Sequence, residues 1–373
     1  AQHFKENGYK TIALGKIYHH KNDDKDFWDV LDRCNAPAYA ASQNVARVKQ
    51  RAKEARARGV KEGHDLWRAS LGPAYECADV PDNTYSDGII AHRAVEELRN
   101  RGDEPLFLAV GFKKPHLAFI APKSYWDMYE RDDIVVPSRA HPDGAPDEAF
   151  TNWGELRSYD GIPKEGYLSN DLAKSLIHGY RACVSYIDAQ LGRVLAELDA
   201  QGMRTNTIIV LWGDHGWKLG DYGDWSKHTN FELDTHVPLI YSGPGIPAGT
   251  RTKALVEYVD IFPTLADYCG LDVPEECEGI SSVPLFNDPS KPWKKAAFSQ
   301  YPRWKKMGYT IRSGKWRYTE WQDRETGEVY QRELYDHSAS DIASKNLVDE
   351  SEYSNVVARL AALLDAGPEG ALP

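Results

Sequence analysis

Apolar residues in this chain fall into short unbroken runs, separated by longer stretches where they recur every three or four positions. Residues 9–14 read as a strand that stops at Gly15-Lys16. Pro105 to Gly111 is a continuous apolar run bounded by turn residues, the pattern of a strand buried on both faces. Thr207 to Trp212 repeats that pattern, and Leu239 to Tyr241 gives a shorter strand closed by Gly243-Pro244-Gly245. Helical spacing fills the intervals. Residues 45–61 are basic and helix-prone, and residues 86–99 set Ile89, Ile90, Ala94 and Leu98 on one face. Residues 168–200 carry Leu172, Leu176, Tyr180, Val184, Ile187, Leu191, Leu195 and Leu198 at helical steps until Gly202 ends them. A further helix is expected over 258–269, whereas 117–165, rich in Pro, Asp and aromatics, reads as an irregular surface excursion.

Helices alternating with buried strands predict an α/β sandwich with a mostly parallel central sheet. After residue 295 the texture changes to short alternating strands near 299–301, 309–312, 316–321 and 333–335, followed by a helix over 353–365. The expected division is a core over 1–295 and a smaller C-terminal α+β subdomain over 296–373, built on an antiparallel sheet.

Composition narrows the function. With 373 residues and 42% apolar content a sizeable core can form, and the formal charge of −11 argues against a nucleic-acid binder or a basic membrane-surface protein. No apolar run approaches the roughly 18 residues of a membrane-spanning helix. The five cysteines have no metal-site spacing. Cys183 lies in a helical pattern as a small buried hydrophobe, and the pairs Cys34 with Cys77 and Cys269 with Cys277 stay open as disulfides. The absence of an Asn-x-Ser/Thr sequon leans away from a eukaryotic secreted glycoprotein. Ala1 falls inside an amphipathic stretch with no initiator Met and no signal peptide, so it reads as an internal starting point and these residues do not decide whether a targeting segment precedes them.

Open α/β sheets bind ligands at the carboxyl ends of their strands. Three polar clusters fall there: Gly15-Lys16-Ile17-Tyr18-His19-His20, Lys113-Lys114-Pro115-His116 and Gly213-Asp214-His215-Gly216, with Lys227 a short loop beyond. Lysines, histidines and a carboxylate together suit a divalent cation and a tetrahedral oxyanion. The carboxylate holds the metal, the ammonium groups take non-bridging oxygens, and an imidazole protonates a leaving alkoxide. Each motif alone is weak, since Asp-His-Gly is often a turn and a lone lysine is usually solvated.

The motifs in order resemble those of type I sulfatases, in the iduronate-2-sulfatase-like group: Gly-Lys-Ile-Tyr-His (15–19), Ala-Val-Gly-Phe-Lys-Lys-Pro-His (109–116), Gly-Asp-His-Gly-Trp-Lys-Leu-Gly (213–220), Trp-Ser-Lys-His-Thr-Asn-Phe (225–231), Thr-His-Val-Pro-Leu-Ile (235–240) and Val-Asp-Ile-Phe-Pro-Thr-Leu (259–265). Ser-Gln-Tyr-Pro-Arg (299–303), Met-Gly-Tyr-Thr-Ile-Arg (307–312) and Glu-Leu-Tyr-Asp (333–336) extend the likeness, which skips only 25–75 and 130–165. It implies an alkaline-phosphatase-like fold, with Asp214 and His215 as ligands of calcium or another divalent cation. His215 is a nitrogen donor where many relatives have Asn, so it is the less certain of the two. Lys16 and Lys227 would bind sulfate oxygens, His19 would orient the nucleophile, and His116 would protonate the leaving group, with His20 a neighbour. Lys114, Trp217, His228, Arg303 and Arg312 would line the substrate side, with Tyr301 as a stacking ring.

One departure matters. The family attacks sulfur with a formylglycine hydrate, made by a formylglycine-generating enzyme from a Cys/Ser-x-Pro-x-Arg motif, and takes two aspartates from an early strand. Val135-Val-Pro-Ser-Arg139 mimics only the tail of that motif and lies after the Lys-Pro-His segment. The nucleophile is therefore expected upstream of Ala1, and the chain alone is expected to be inactive. The resemblance further implies a sulfated carbohydrate substrate, such as a 2-O-sulfated uronic acid, no nucleic-acid or membrane partner, and a periplasmic or secreted bacterial location rather than a lysosomal one. The basic stretch Arg47, Lys49, Arg51, Lys53, Arg56, Arg58 and Lys61 reads as a solvated helix face, with attraction of a polyanion as the alternative. Two other functions stay open: a phosphatase or phosphodiesterase of the alkaline-phosphatase-like group, and a non-catalytic polysaccharide-binding remnant.

Overall fold

The strand read at residues 9–14 is β1 (Lys10–Gly15), which is central in a three-stranded parallel sheet between β2 (Val30–Asp32) and β4 (Leu106–Gly111); β3 (Tyr75–Ala78) and β5 (Phe119–Pro122) pair separately, also in parallel. These elements come from a computed structural model that describes residues 1–19 and 24–373, and they belong to a unit formed by Ala1–Pro137 with Gly154–Thr205. Alternation along β1 sends Ile12 and Leu14 into a core with Cys34, Ile90 and Ala94, so the helix Ser86–Arg99 covers the sheet with the face its periodicity marks.

β1 and β4 run in register from Lys10 opposite Leu106 to Gly15 opposite Gly111, so both strands end at one edge. Two glycines make that ending possible. A Cβ on Gly15 (φ +80°) would lie 2.3 Å from the Gly111 carbonyl oxygen, and one on Gly111 would lie 2.0 Å from the Lys16 carbonyl oxygen. The helix Asn170–Ala200 is capped by the Ser169 hydroxyl, which accepts from Leu172 N at 3.2 Å, and Gly202 at φ +67° follows it. Ala173, Leu176, Ile177, Cys183 and Tyr186 are its buried stripe. Buried Glu76 ties the basic helix Ser42–Ala57 to β3, accepting from Ala40 N, Ala41 N, Asn44 Nδ2 and Tyr85 Oη.

The second unit, Ser138–Trp153 with Asn206–Pro373, contains β6 (Ile209–Trp212), the short hairpin β7 (Lys218–Leu219) and β8 (Trp225–Ser226), and β9 (Leu239–Ser242), which pairs antiparallel with β6. Its C-terminal part is the expected antiparallel sheet, with β10 (Ala297–Arg303), β11 (Lys306–Ser313), β12 (Trp316–Asp323) and β13 (Val329–Asp336) in sequential order. Ile311, Tyr318 and Leu334 from this sheet pack with Leu360 of the helix Ser354–Asp365.

Three expectations change. The segment read as irregular from 117 begins with β5, and β3 was equally unmarked, because a four-residue strand gives almost no periodicity to read. The run ending in Trp212 is not buried on both faces: Leu211 is 38% and Trp212 45% exposed, since β6 has a single, antiparallel neighbour among the described residues. All five cysteines are free thiols, so neither open disulfide pair forms. His20 lies outside the described residues. Among those residues, no helix is long and apolar enough to cross a membrane.

Gly111→Ala should destabilise the first unit by about 2–3 kcal/mol, because the added methyl meets main chain rather than a side chain that can swing away. A urea midpoint unchanged from the parent protein would contradict this.

Candidate active site

In the first unit, register brings Lys16 and the Lys113–His116 segment to the same end of adjacent strands. Lys16 N donates to the Gly111 carbonyl at 2.8 Å, and the side chains of Lys16 and His19 are exposed. Lys114 turns inward, its ammonium donating to the carbonyls of Ala118 (2.5 Å) and His116 (3.1 Å). Buried Asp87 accepts from Lys113 N at 2.5 Å. Burial pushes the Asp87 carboxyl up and the Lys113 ammonium down, against the mutual attraction of the two groups. His116 sits between two oxygens, with Nδ1 2.9 Å from the Leu117 carbonyl and Nε2 2.8 Å from Glu155 Oε1.

In the second unit, the turn after β6 presents Asp214 and His215, and the β7–β8 hairpin folds the later motif back beside it. The His215 and Trp217 rings stack at 6.0 Å, and Lys227 Nζ lies 4.7 Å over the Trp217 ring. The next residue, His228, packs its ring 5.5 Å from Tyr301, over which the Arg303 guanidinium lies at 4.7 Å. Asp214, His215, Trp217, Lys227 and His228 therefore form one local assembly, with Tyr301 and Arg303 alongside.

Asp214 and His215 fit a cation as a pair of donors. His215 Nδ1 is 2.9 Å from the Gly216 carbonyl, which leaves Nε2 on the side of Asp214 Oδ1, 3.8 Å away. Tyr258 Oη donates to the Gly213 carbonyl at the base of the turn, and burial followed by the Asp214 charge pushes its phenol up to about 12. Glu232, His236 and Asp341 also approach one another closely enough to share an ion. They do not fit one, because both Glu232 oxygens are already held by guanidinium groups of Arg312 and Arg317 at 2.6–3.2 Å. Burial alone would raise that carboxyl, but Arg317 and Arg312 outweigh it and hold Glu232 at about 2.

The two arginines named from the sequence are thus engaged within the fold. Arg312 is matched to Glu232. Arg303 donates to main-chain carbonyls, from Nη2 to His228 at 2.7 Å and from Nε to Glu148 at 3.0 Å and Phe150 at 3.2 Å. Of the basic stretch, Arg47 and Arg51 bind Asp160 and Arg56 binds Glu62. Sequence reading missed Asp87, Glu155, Lys218, Glu232 and Asp234. A lone charged residue carries no periodicity, and only burial shows that it has a fixed partner.

The sulfatase family profile matches residues 1–271, and the profile for the N-sulphoglucosamine sulphohydrolase C-terminal region matches residues 220–368. Iduronate 2-sulfatase of Homo sapiens is 30% identical, over 94% of this chain and 76% of that protein, and a sulfatase of Formosa agariphila is 27% identical over 97% and 68%. Among solved structures, one in complex with its substrate D-glucosamine-2-N,6-O-disulfate matches with a TM-score of 0.72 at 20% identity, covering 99% of this chain and 81% of the other. The phosphonate monoester hydrolase of Agrobacterium radiobacter matches at 0.71 and 21%, covering 97% and 78%. The fold is that of the alkaline-phosphatase-like hydrolases. Within that class the chain belongs to the sulfatase family, on its iduronate-2-sulfatase-like branch. The intact protein is a sulfuric ester hydrolase.

The loop bearing Lys227 begins at Asp224, which is only 3% exposed, and burial pushes its carboxyl up to about 6 despite Lys218 and Arg303. A raised carboxyl pKa means that the native state holds the proton more tightly than the unfolded chain does. Stability should therefore fall as pH rises from about 4 to about 6, by on the order of 3 kcal/mol. Asp224→Asn should flatten that part of the stability–pH curve, as followed by urea unfolding; an unchanged slope would refute the assignment.

Proposed function

We propose that the intact protein removes sulfate from a sulfated saccharide, with a 2-O-sulfated uronic acid as the favoured unit. The assembly of Asp214, His215, Trp217 and Lys227 in one part of the fold, in a chain whose sulfatase match runs over 1–271, carries this reading. The saccharide class is supported by the names of the relatives, iduronate 2-sulfatase among them.

In this reading Asp214 and His215 hold a divalent cation, calcium by family habit, which offsets the charge of the sulfate group. Lys16 and Lys227 take non-bridging oxygens, where their charge counts most as the S–O bond breaks. His19 orients the nucleophile. His116 is the proton donor to the leaving sugar oxygen in this reading, with the Leu117 carbonyl and Glu155 at its two ring nitrogens setting its orientation. Trp217 gives the sugar a face to stack on, and His228 with Tyr301 and Arg303 forms a wall beside it. Lys114 is assigned to the substrate side in this reading, its ammonium bracing the His116–Ala118 backbone, and Arg312 supports the wall through Glu232. The nucleophile in this reading is a formylglycine from a Cys/Ser-x-Pro-x-Arg motif that these 373 residues do not contain. Its maturation requires a formylglycine-generating enzyme, and a periplasmic or secreted bacterial location suits a polymeric substrate.

In the matured, intact protein, Lys227→Ala and His116→Ala should each lower turnover of a 2-O-sulfated uronide by about two orders of magnitude or more without shifting Tm. Wild-type rates in either variant would sink its assigned role. Chelation of divalent cations should abolish sulfate release, and recovery should follow added calcium. Faster hydrolysis of the matching phosphate or phosphonate ester than of the sulfate ester would favour the phosphatase reading instead.

A further inference from the structure

Lys218 is fully buried and Asp234 is 5% exposed, and they form an ion pair of 2.5 Å beneath the Lys227 loop. A buried pair of this kind is weak evidence for stability, because apolar residues of similar size often serve as well. Its connections point to another role. Asp234 Oδ2 also accepts from Thr229 N (2.8 Å) and Thr229 Oγ1 (2.5 Å), while Lys218 Nζ donates to Thr229 Oγ1 at 2.9 Å. The Asp234 carbonyl accepts from Gly216 N at 2.8 Å. A Cβ on Gly216 would lie 1.9 Å from the Leu233 carbonyl oxygen, so the Asp214–His215 turn is pressed directly against this segment.

One residue thus touches both halves of the local assembly. Its main chain holds the turn carrying Asp214 and His215, and its side chain holds the end of the loop carrying Lys227. That loop does not keep its shape by propensity. Ser226 (φ +71°) and His228 (φ +89°), on either side of Lys227, are non-glycine residues in left-handed backbone, at a cost of about 1–3 kcal/mol each that surrounding contacts must offset. Ser226 pairs with Lys218 across the β7–β8 hairpin, the His228 carbonyl is held by Arg303, and Thr229 is held by Asp234.

We propose that Lys218 and Asp234 are positioning residues, which fix the spacing between the Asp214–His215 turn and the Lys227 ammonium through Thr229. The proposal rests on reading those groups as the sulfate-side machinery, and it can be tested without turnover. The probe is competitive acetylation of the full chain, with the labelling rate of Lys227 read by mass spectrometry against the exposed Lys49 and Lys53. In Lys218→Met/Asp234→Val, which exchanges the pair for apolar side chains, Lys227 should label about fivefold faster relative to the reference lysines while near-UV circular dichroism stays native. Thr229→Val keeps the ion pair and the Thr229 N bond to Asp234 but removes the hydroxyl, which bonds Asp234 and Lys218 and accepts from Phe231 N at 3.4 Å, and should raise labelling about twofold.

Labelling of Lys227 at the parent rate in a folded double variant overturns the proposal. If the double variant does not fold, Thr229→Val decides on the same criterion. In the intact enzyme Thr229→Val should lower kcat with little change in KM, a split that simple loss of stability does not produce. Wild-type turnover of Lys227→Ala would instead remove the catalytic reading and leave the labelling result standing.

Discussion

A charged group withdrawn from water must be matched by a fixed partner, and the second unit is organised around three carboxylates under that constraint. Glu232, Asp234 and Asp260 are each 5% exposed or less. Glu232 is gripped by Arg312 and Arg317, Asp234 by Lys218 and Thr229, and Asp260 by Lys294, with Ile280 N and Glu257 N completing its hydrogen bonds. The cationic partners lie far along the chain from their carboxylates: Arg312 and Arg317 from Glu232, Lys218 from Asp234 and Lys294 from Asp260. The motif segments at 213–220, 225–231, 235–240 and 307–312 lie on or beside these buried charges.

The first unit meets a different constraint. Lys16 and the Lys113–His116 segment share an edge because two parallel strands end together, and they end together because neither Gly15 nor Gly111 has a side chain to separate the backbones. Beyond that edge the polar groups are again braced by backbone and acid: Lys114 by two carbonyls, Lys113 N by Asp87, and His116 by Glu155. Conformational freedom is removed in advance, which favours oriented chemistry over capture by flexible arms.

The arginines show where residue type and actual role part company. Arg303 and Arg312 stand in motifs whose resemblance places them on a substrate wall, and a guanidinium fork suits a sugar carboxylate. In the fold, Arg303 binds four carbonyls and Arg312 a buried glutamate. The same fork that recognises a ligand recognises main chain, and only the neighbours decide which. Trp217 and Tyr301 give the opposite case, as ordinary aromatic residues whose rings lie against Lys227 and Arg303.

From sequence alone, the long helix at 170–200, the strand ends at Gly15, Gly111 and Trp212, and the change to an antiparallel C-terminal sheet were legible, because each rests on a period or a boundary that neighbouring residues share. The polar motifs at those strand ends were legible too, as ordered strings rather than as a site. Tertiary structure alone decided that β3 and β5 exist, that the cysteines stay apart, and that Lys218, Asp234 and Glu155 have partners 16, 16 and 39 residues away in the chain. Burial and pairing are properties of what surrounds a residue, and a linear string records a residue's surroundings only where they repeat.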